Sequence, residues 1–303
     1  MKTMNGVPHP IIVVGQDKLS YSIVSDLLMA GHVALLLTAD RQAAEEAINH
    51  MTADKNLCIC SEWPEKIYSP LVVLVTADKA EVKRELIRQV EERCAEDTVI
   101  TVNLESVDLD ELQTTMRCPS RLLGLNWTYP VYQNFFAEII SNAKTDPQAL
   151  ERLTQWLKIY WRKDPCVSKA GFSVRARLMA AMLREGLYLV ENDFASIESV
   201  DRACRNDAGY YLPFAGNFRY MDLMGTYAYG MVMKDLNREL SNMDTLPGIL
   251  EEKRRHKETG MDAGKGFYTY SSEEKAYWQS VFEEFSREIQ QLINKYPHEP
   301  SDY

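Results

Sequence analysis

The stretch that decides the fold is residues 11–20, IIVVGQDKLS, near the start of the printed sequence. Its first four residues form a short β-branched apolar run that ends at Gly15. Apolar residues at helical spacing follow from Leu19 to Ala30, before the turn Gly31-His32. A buried strand, a tight turn and a helix are therefore predicted in direct succession.

Outward from this stretch, short apolar runs alternate with amphipathic ones. Further strands are predicted at Val33–Leu37, Asn56–Cys60, Leu71–Val75, Val99–Asn103 and Leu123–Trp127, with helices at Gln42–Met51 and Glu81–Cys94. Strands separated by helices indicate βαβ units with right-handed crossovers. The sequence thus predicts an α/β fold, in which a doubly wound, mainly parallel sheet of the Rossmann type occupies residues 1–166.

The remainder of the chain, residues 167–303, carries a helical pattern and is predicted to be an all-α domain. Helices are predicted at Val174–Glu191, Ser196–Cys204, Phe214–Leu240 and Ser272–Tyr296. The Met, Tyr and other apolar side chains of Tyr220–Met233 are interpreted as helix-packing core. The site is expected in the cleft between the two domains.

Charge and hydropathy exclude several classes of function. The 303 residues include 34 Lys and Arg against 44 Asp and Glu, a net charge of −10, which gives no electrostatic drive toward nucleic acid or an anionic membrane. No apolar run approaches the ~20 residues that span a bilayer, and the first residues lack the pattern of a secretory signal. The six scattered cysteines suggest reduced thiols, and no metal site is expected. A cytoplasmic protein without nucleic-acid or membrane partners is predicted.

The turn after the first predicted strand resembles a degraded dinucleotide-binding loop. Such a loop has the pattern G-x-G-x-x-G, because small residues let the main chain approach a pyrophosphate at a helix N-terminus. Here only Gly15 keeps the pattern: Asp17 brings a side chain and a negative charge to the second position, and Ser20 stands at the third. Taken alone, this loop is weak evidence for a cofactor.

The end of the second predicted strand bears on which cofactor would bind. An acidic residue that holds the adenosine ribose is expected there, but the position is Thr38, with Arg41 close behind. Loss of the acid beside an arginine is compatible with a 2′-phosphate, hence with NADP. A loop that holds no ligand is an equal alternative, so NAD and NADP both stay open.

Several stretches agree in order and spacing with one family. They are Ile12–Gly15, Gly31-His32, Leu71–Glu92, Gly124–Val131 with Glu138–Ile140, Gly171–Arg175, Val200–Ala203, Asp222–Gly225 and the closing GKGFYTY at Gly264–Tyr270. On these residues the chain resembles the 3-hydroxyacyl-CoA dehydrogenase family, over about residues 10–272. The resemblance implies a Rossmann domain, a helical domain for substrate binding and dimerisation, and hydride transfer between NAD or NADP and a hydroxyacyl-CoA or hydroxy acid.

The same resemblance assigns candidate catalytic positions. The family has a histidine after Gly-Leu that acts as general base, a glutamate twelve residues later that orients it, and a Ser and an Asn that hold the substrate oxygen. In this chain Glu138 matches the glutamate, but the histidine position is Asn126. The Ser position is Glu105, with Ser106 beside it, and the Asn position is Arg175. Within the matching segment 71–92, Asp78 is a further candidate for cofactor binding.

Two interpretations of this altered set compete. In the first, Glu105 and Glu138 lie near Arg175, and one carboxyl with a raised pKa acts as the acid or base while Arg175 binds a carboxylate or polarises a carbonyl. In the second, the same three charges form a structural ion-pair cluster. A divergent oxidoreductase of the family and an inactive dehydrogenase-fold protein that binds a ligand or a protein partner are the corresponding functions. The resemblance also implies a homodimer through the helical domain: Leu178–Val190 offers an apolar face for it, and burial of that face within the monomer is an equal alternative.

Overall fold

A computed structural model of the chain describes residues 10–53 and 56–296. The first residues, on which the expectation about a secretory signal rests, lie outside this range. The chain divides into two compact units, and the division falls between Ala176 and Arg177.

The amino-terminal unit is built on an eight-stranded sheet. Its strands are β1 (Ile11–Val14), β2 (Ala34–Leu37), β3 (Leu57–Cys60), β4 (Leu71–Leu74), β5 (Val99–Val102), β6 (Leu122–Trp127), β7 (Phe136–Ile140) and β8 (Asp164–Ser168). Their order across the sheet is β3-β2-β1-β4-β5-β6-β7-β8. All neighbouring pairs are parallel except β6 and β7. The predicted doubly wound, mainly parallel sheet is thereby confirmed.

Helices cover both faces of this sheet. They are α1 (Lys18–Met29), α2 (Arg41–Met51), α3 (Ala80–Glu91), α4 (Leu109–Gln113) and α5 (Pro147–Trp161), and a further helix, α6 (Val174–Glu191), begins at the end of this unit. Alternate residues of β1 point to opposite faces: Ile11 and Val13 join one buried cluster, and Ile12 and Val14 join the other. Because both faces are covered, the strand reads as a continuous apolar run, which explains why it was visible in the sequence.

The carboxyl-terminal unit is helical in the described residues, as predicted. It contains the rest of α6 and α7 (Ile197–Ala203), α8 (Gly209–Met224), α9 (Thr226–Leu236), α10 (Gly248–Arg255) and α11 (Ser272–Lys295). The single helix predicted over Phe214–Leu240 is wrong. Gly216 has φ 64° and Gly225 has φ 101°, values outside the helical region that glycine adopts without steric cost, so the chain bends at Gly216 and α8 ends before Gly225.

Few side chains of this helical unit are buried within the chain. From Arg177 onward, the buried residues among those described are Ala215, Ser241, Gly266 and Ser286. The apolar side chains of Tyr220–Met233, predicted to be core, include exposed residues such as Leu223, Tyr227 and Val232. Their burial is therefore not achieved within the described chain. None of the described helices has both the length and the apolar composition that crossing a bilayer requires.

Candidate active site

Asn126 and Glu138 face each other across the one antiparallel pair of the sheet. Asn126 lies in β6 opposite Glu138 in β7, and the Asn126 side-chain Nδ2 donates a hydrogen bond of 2.9 Å to Glu138 Oε2. Only 1% of Asn126 and 0% of Glu138 are exposed. Residues opposite each other in a β pair have neighbouring side chains, so the register of β6 and β7 alone creates this contact.

The Asn126 carboxamide also holds the loop that follows β5. Its Oδ1 accepts from the main-chain N–H of Leu104 at 2.8 Å, and its Nδ2 donates to the Leu104 carbonyl at 2.6 Å. The oxygen and the nitrogen of the carboxamide are thus both bonded to the main chain of Leu104, which is buried. An unpaired buried N–H or C=O would be costly, so Asn126 has a clear structural function at the family's histidine position.

Glu138 accepts hydrogen bonds at both carboxylate oxygens. Ser173 Oγ donates to Oε2 at 2.6 Å, and the main-chain N–H of Arg175 donates to Oε1 at 3.0 Å. Ser173 precedes α6 and its Oγ accepts from the N–H of Ala176 at 2.9 Å, which is the pattern of a helix N-cap. The carboxylate therefore lies at the N-terminus of α6, where the helix dipole stabilises a negative charge.

The side chain of Arg175 extends from this buried network toward solvent. Its guanidinium forms an ion pair of 2.7 Å with Glu105 and lies 6.0 Å from the ring centre of Phe136. The two charged side chains are 33% and 42% exposed. Within the described part of the chain, a single guanidinium nitrogen is engaged in hydrogen bonding, so the others are available to a ligand.

Asp78 fixes the loop that carries Glu105. It accepts from the main-chain N–H of Glu105 at 3.3 Å and from both the N–H and the Oγ of Ser106 at 2.6 Å. Partial burial raises the pKa of Asp78, but the bonds from Ser106 and Glu105 and the charge of Lys83 outweigh it and lower the pKa overall. Lys83 is buried, contacts Asp78 at 3.4 Å and donates to the Asn103 carbonyl at 2.6 Å.

The structure thus brings together the predicted catalytic set in the amino-terminal unit. Glu105, Asn126, Glu138 and Arg175 form one connected network, and Ser106 joins it through Asp78. Sequence reasoning missed Ser173, although a serine directly before a helical pattern is a recognisable N-cap signal. Lys83 was missed as well, since a lysine on an amphipathic helix is ordinarily taken as exposed.

The glycine turn keeps the tight strand-to-helix passage of a dinucleotide-binding loop at its first position. A Cβ atom on Gly15 would lie 2.6 Å from Ser20 Cβ and 3.1 Å from the Val75 carbonyl oxygen, so only glycine fits. Asp17 is the N-cap of α1: its Oδ1 accepts from the Ser20 N–H at 2.8 Å, and Ser20 Oγ accepts from the Asp17 N–H at 3.0 Å. The carboxylate predicted to face a pyrophosphate therefore caps the helix.

Thr38 offers a buried polar atom with no protein partner. It follows β2 at the carboxyl edge of the sheet, next to the glycine turn, since the N–H of Gly15 donates to the carbonyl of Leu37. Thr38 is 4% exposed, and its Oγ1 forms no hydrogen bond. The exposed side chains of Arg41 and Glu45 form an ion pair of 2.7 Å on α2. The Thr38 hydroxyl thus lies without a partner beside the glycine turn, where the adenosine ribose of a dinucleotide is expected. A buried hydroxyl of this kind fits such a ligand.

Comparison with known proteins identifies two consecutive domain matches. The model of the 3-hydroxyacyl-CoA dehydrogenase NAD binding domain matches residues 38–170, and that of the family's C-terminal domain matches residues 171–270. The first match begins at Thr38, after the glycine turn. Together they account for most of the chain.

Individual relatives are distant. The chain is 26% identical over 206 residues to 5-formyl-3-hydroxy-2-methylpyridine 4-carboxylate 5-dehydrogenase of Mesorhizobium japonicum, covering 67% of this chain and 66% of that protein. It is 24% identical over 289 residues to 3-hydroxyadipyl-CoA dehydrogenase of Escherichia coli, covering 88% of this chain and 60% of that protein. The chain therefore spans less than two thirds of the length of these two relatives.

A solved structure shares the fold over nearly the full length. It is the crystal structure of a 5-formyl-3-hydroxy-2-methylpyridine 4-carboxylic acid 5-dehydrogenase, described as an NAD+-dependent dismutase. The TM-score is 0.84 at 21% identity, covering 94% of this chain and 97% of that one.

Proposed function

Since the chain belongs to the 3-hydroxyacyl-CoA dehydrogenase family, an NAD(P)-binding oxidoreductase family, we propose that it transfers a hydride between NAD(P) and a small hydroxy acid that carries a free carboxylate. The observation that carries this proposal is the half-exposed guanidinium of Arg175, at the position where the family has a neutral asparagine. A planar guanidinium binds a carboxylate through two parallel hydrogen bonds.

The position of Arg175 is set by the buried network beneath it. Glu138 binds its main-chain N–H, and Ser173 and Asn126 hold the Glu138 carboxylate in turn. We therefore assign Glu138, Asn126 and Ser173 positioning roles. The relative from Mesorhizobium japonicum is named for a pyridine carboxylate, which supports a carboxylate-bearing substrate over a 3-hydroxyacyl-CoA.

Glu105 is the carboxyl group of the set that solvent and a substrate can reach. A bound NAD(P) would supply the acceptor for the hydride on the carbon that bears the hydroxyl. In our proposal Glu105 accepts the hydroxyl proton, and Arg175 holds the substrate carboxylate. Gly15 and Thr38 would contact the cofactor, and Asp78 and Ser106 keep the Glu105 loop in place.

The test compares matched substrates and two arginine variants. Turnover is followed by NADH absorbance with a 3-hydroxy acid, its methyl ester and its CoA thioester. We expect turnover of the free acid, and a fall in kcat/KM of about 100-fold in Arg175→Ala, with partial recovery in Arg175→Lys. Arg177→Ala, an exposed arginine on the same helix, is the matched control and should retain wild-type kinetics. Preferential turnover of the thioester, or an unaffected Arg175→Ala, would refute the proposal.

The inactive alternative also has an observation in its favour. Asn126 replaces the family's proton-transferring histidine and is fully occupied by Leu104 and Glu138. A carboxamide does not titrate near neutral pH, so it cannot act as a general acid or base there. Under this alternative the purified protein would bind NADH or NADPH, or an acid, in a calorimetric titration yet turn over none of the substrates. Turnover by the wild-type protein that is lost in Glu105→Gln would exclude the inactive alternative.

We also propose that the protein is a homodimer formed through its helical unit. The support is the apolar surface that the described chain leaves exposed, including Leu178 and Leu183 on α6. Sedimentation at micromolar concentration should give a dimer, and Leu183→Glu should shift it toward the monomer. A wild-type monomer at these concentrations would contradict the proposal.

A cytoplasmic location is proposed on the state of the thiols. All six cysteines of the sequence lie in the described residues and are free. Cell fractionation of the tagged full chain should recover it with cytoplasmic markers, and recovery with exported proteins would contradict this location.

A further inference from the structure

The glycine turn carries two opposite charges next to each other, Asp17 and Lys18. Asp17 uses its Oδ1 to accept the Ser20 N–H, one of the main-chain donors at the start of α1. That N–H already has a hydrogen-bond partner in the protein. The negative charge of Asp17 also offsets part of the positive end of the helix dipole. A pyrophosphate that approaches this helix meets a weaker positive field than in a loop with glycine at the second position.

Lys18 is the positive charge closest in sequence to this carboxylate. It is the first residue of α1 and is exposed. Its Nζ lies 5.5 Å from the ring centre of Tyr129, in the segment between β6 and β7. Within the described residues, no carboxylate forms a salt bridge with Lys18. An exposed cation–π contact is weak, so the ammonium can exchange it for a stronger partner.

We propose that Lys18 binds the pyrophosphate of the dinucleotide and supplies the positive charge that Asp17 removes from the helix N-terminus. The inference rests on the proposed function, because it requires that NAD(P) binds at the glycine turn. One feature beside the helix supports a ligand there: the hydroxyl of Thr38, a residue that is 4% exposed, has no hydrogen-bond partner.

The proposal gives the two charged residues opposite effects on affinity. Replacing Lys18 removes an attraction to the pyrophosphate, whereas Asp17→Asn removes a repulsion. Asparagine caps helices about as well as aspartate, so Asp17→Asn should preserve the helix start. Since charge interactions near the surface are screened by salt, the contribution of Lys18 should shrink as ionic strength rises.

The experiment is a calorimetric titration of the full chain with NADH, and with NADPH, at low and high salt. At low salt we expect Lys18→Met to raise Kd about tenfold and Lys18→Arg to stay within about twofold. Asp17→Asn should lower Kd several-fold. Lys158→Met, an exposed lysine on α5, makes the same change in net charge and should bind like wild type. Thermal melting of each variant verifies folding.

Adenosine, which lacks phosphate, separates a direct phosphate contact from a distorted turn. Lys18→Met should bind adenosine like wild type while losing affinity for NADH. Equal NADH affinity of wild type and Lys18→Met, or an equal loss for adenosine, would overturn the inference and leave the proposed function standing. Absence of binding by the wild type to both dinucleotides would overturn the proposed function and the inference together.

Discussion

Replacing Glu138 with glutamine tests the buried network most directly. The carboxylate accepts from Ser173 Oγ at 2.6 Å, from Asn126 Nδ2 at 2.9 Å and from the Arg175 N–H at 3.0 Å. Glutamine has nearly the same shape but carries no charge. Its side chain ends in an NH₂ donor and a carbonyl acceptor. In one orientation the NH₂ faces the Arg175 N–H, and in the other it faces the Asn126 Nδ2–H, so two donors meet unless the surroundings shift.

The expected magnitude follows from these three bonds. Hydrogen bonds to a charged group contribute about 1.5–3 kcal/mol each, and a buried donor without an acceptor costs about 1–3 kcal/mol. Glutamine keeps an acceptor for one N–H, and the Ser173 hydroxyl can rotate to accept from the new amide. We therefore expect Glu138→Gln to lower the free energy of unfolding of the sheet-containing unit by about 2–4 kcal/mol.

Urea unfolding followed by tryptophan fluorescence measures this change, because Trp127, Trp156 and Trp161 are buried in the same unit. The control is Glu105→Gln, which breaks a half-exposed ion pair and should cost less than about 1 kcal/mol. A change in Glu138→Gln within about 0.5 kcal/mol of wild type would refute the reasoning. The same variant should also abolish turnover, since Arg175 loses its anchor, and a wild-type rate would contradict a functional role of Glu138.

Three further predictions concern single residues. Burial raises the pKa of Asp26 to about 6 although Lys163 lies 3.1 Å away, so the folded state binds the extra proton between about pH 4 and 6. Stability should fall on the order of 1–3 kcal/mol as pH rises through this window, and Asp26→Asn should flatten the urea-midpoint profile. Gly15→Ala should destabilise by about 1–3 kcal/mol in the same unfolding assay, because the new Cβ collides with Ser20. Thr38→Val should leave stability unchanged or higher yet weaken NADH binding in a titration, since its hydroxyl serves no protein partner.

Each of these has a matched control within the chain. Asp110→Asn changes an exposed aspartate and should leave the profile between pH 4 and 6 unaltered. Gly230→Ala adds a Cβ in open space on α9 and should not destabilise. Thr101→Val removes a buried hydroxyl that donates to the Val72 carbonyl, so it should cost about 1 kcal/mol without affecting NADH affinity. The reverse pattern in any pair would contradict the corresponding prediction.

The sheet was predictable where a strand is buried on both faces. Ile11–Val14 was predicted at the bounds that β1 has, because four consecutive β-branched residues between a loop and a glycine have few other interpretations. The edge strand β8 was not predicted, since Asp164–Ser168 contains a proline and mostly half-exposed or exposed residues. The break at Gly225 was missed for the opposite reason: the apolar pattern continues on both sides, and one glycine does not interrupt it.

The site was predictable in position and not in chemistry. The order of motifs placed Glu105, Glu138 and Arg175 near one another, and the structure connects them. Which side chains are exposed depends on the register of β6 and β7, which pairs Asn126 with Glu138, 12 residues apart. It depends also on where α6 begins, which brings Ser173 to Glu138, 35 residues away along the chain. A sequence pattern does not encode such hydrogen bonds, so the burial of Glu138 and the exposure of Arg175 emerged only from the fold.

The two hydrogen bonds between Asn126 and Leu104 also restrict which side chains position 126 accepts. The carboxamide presents a donor and an acceptor side by side, as a peptide group would, and both are needed by the same main chain. An imidazole has its two nitrogens on different sides of a ring and serves at most one of the two Leu104 groups. Asn126→His would thus lower the stability of the fold, because one buried main-chain group of Leu104 would lose its partner. A histidine at position 126 would require a different loop after β5, so this residue and this loop constrain each other.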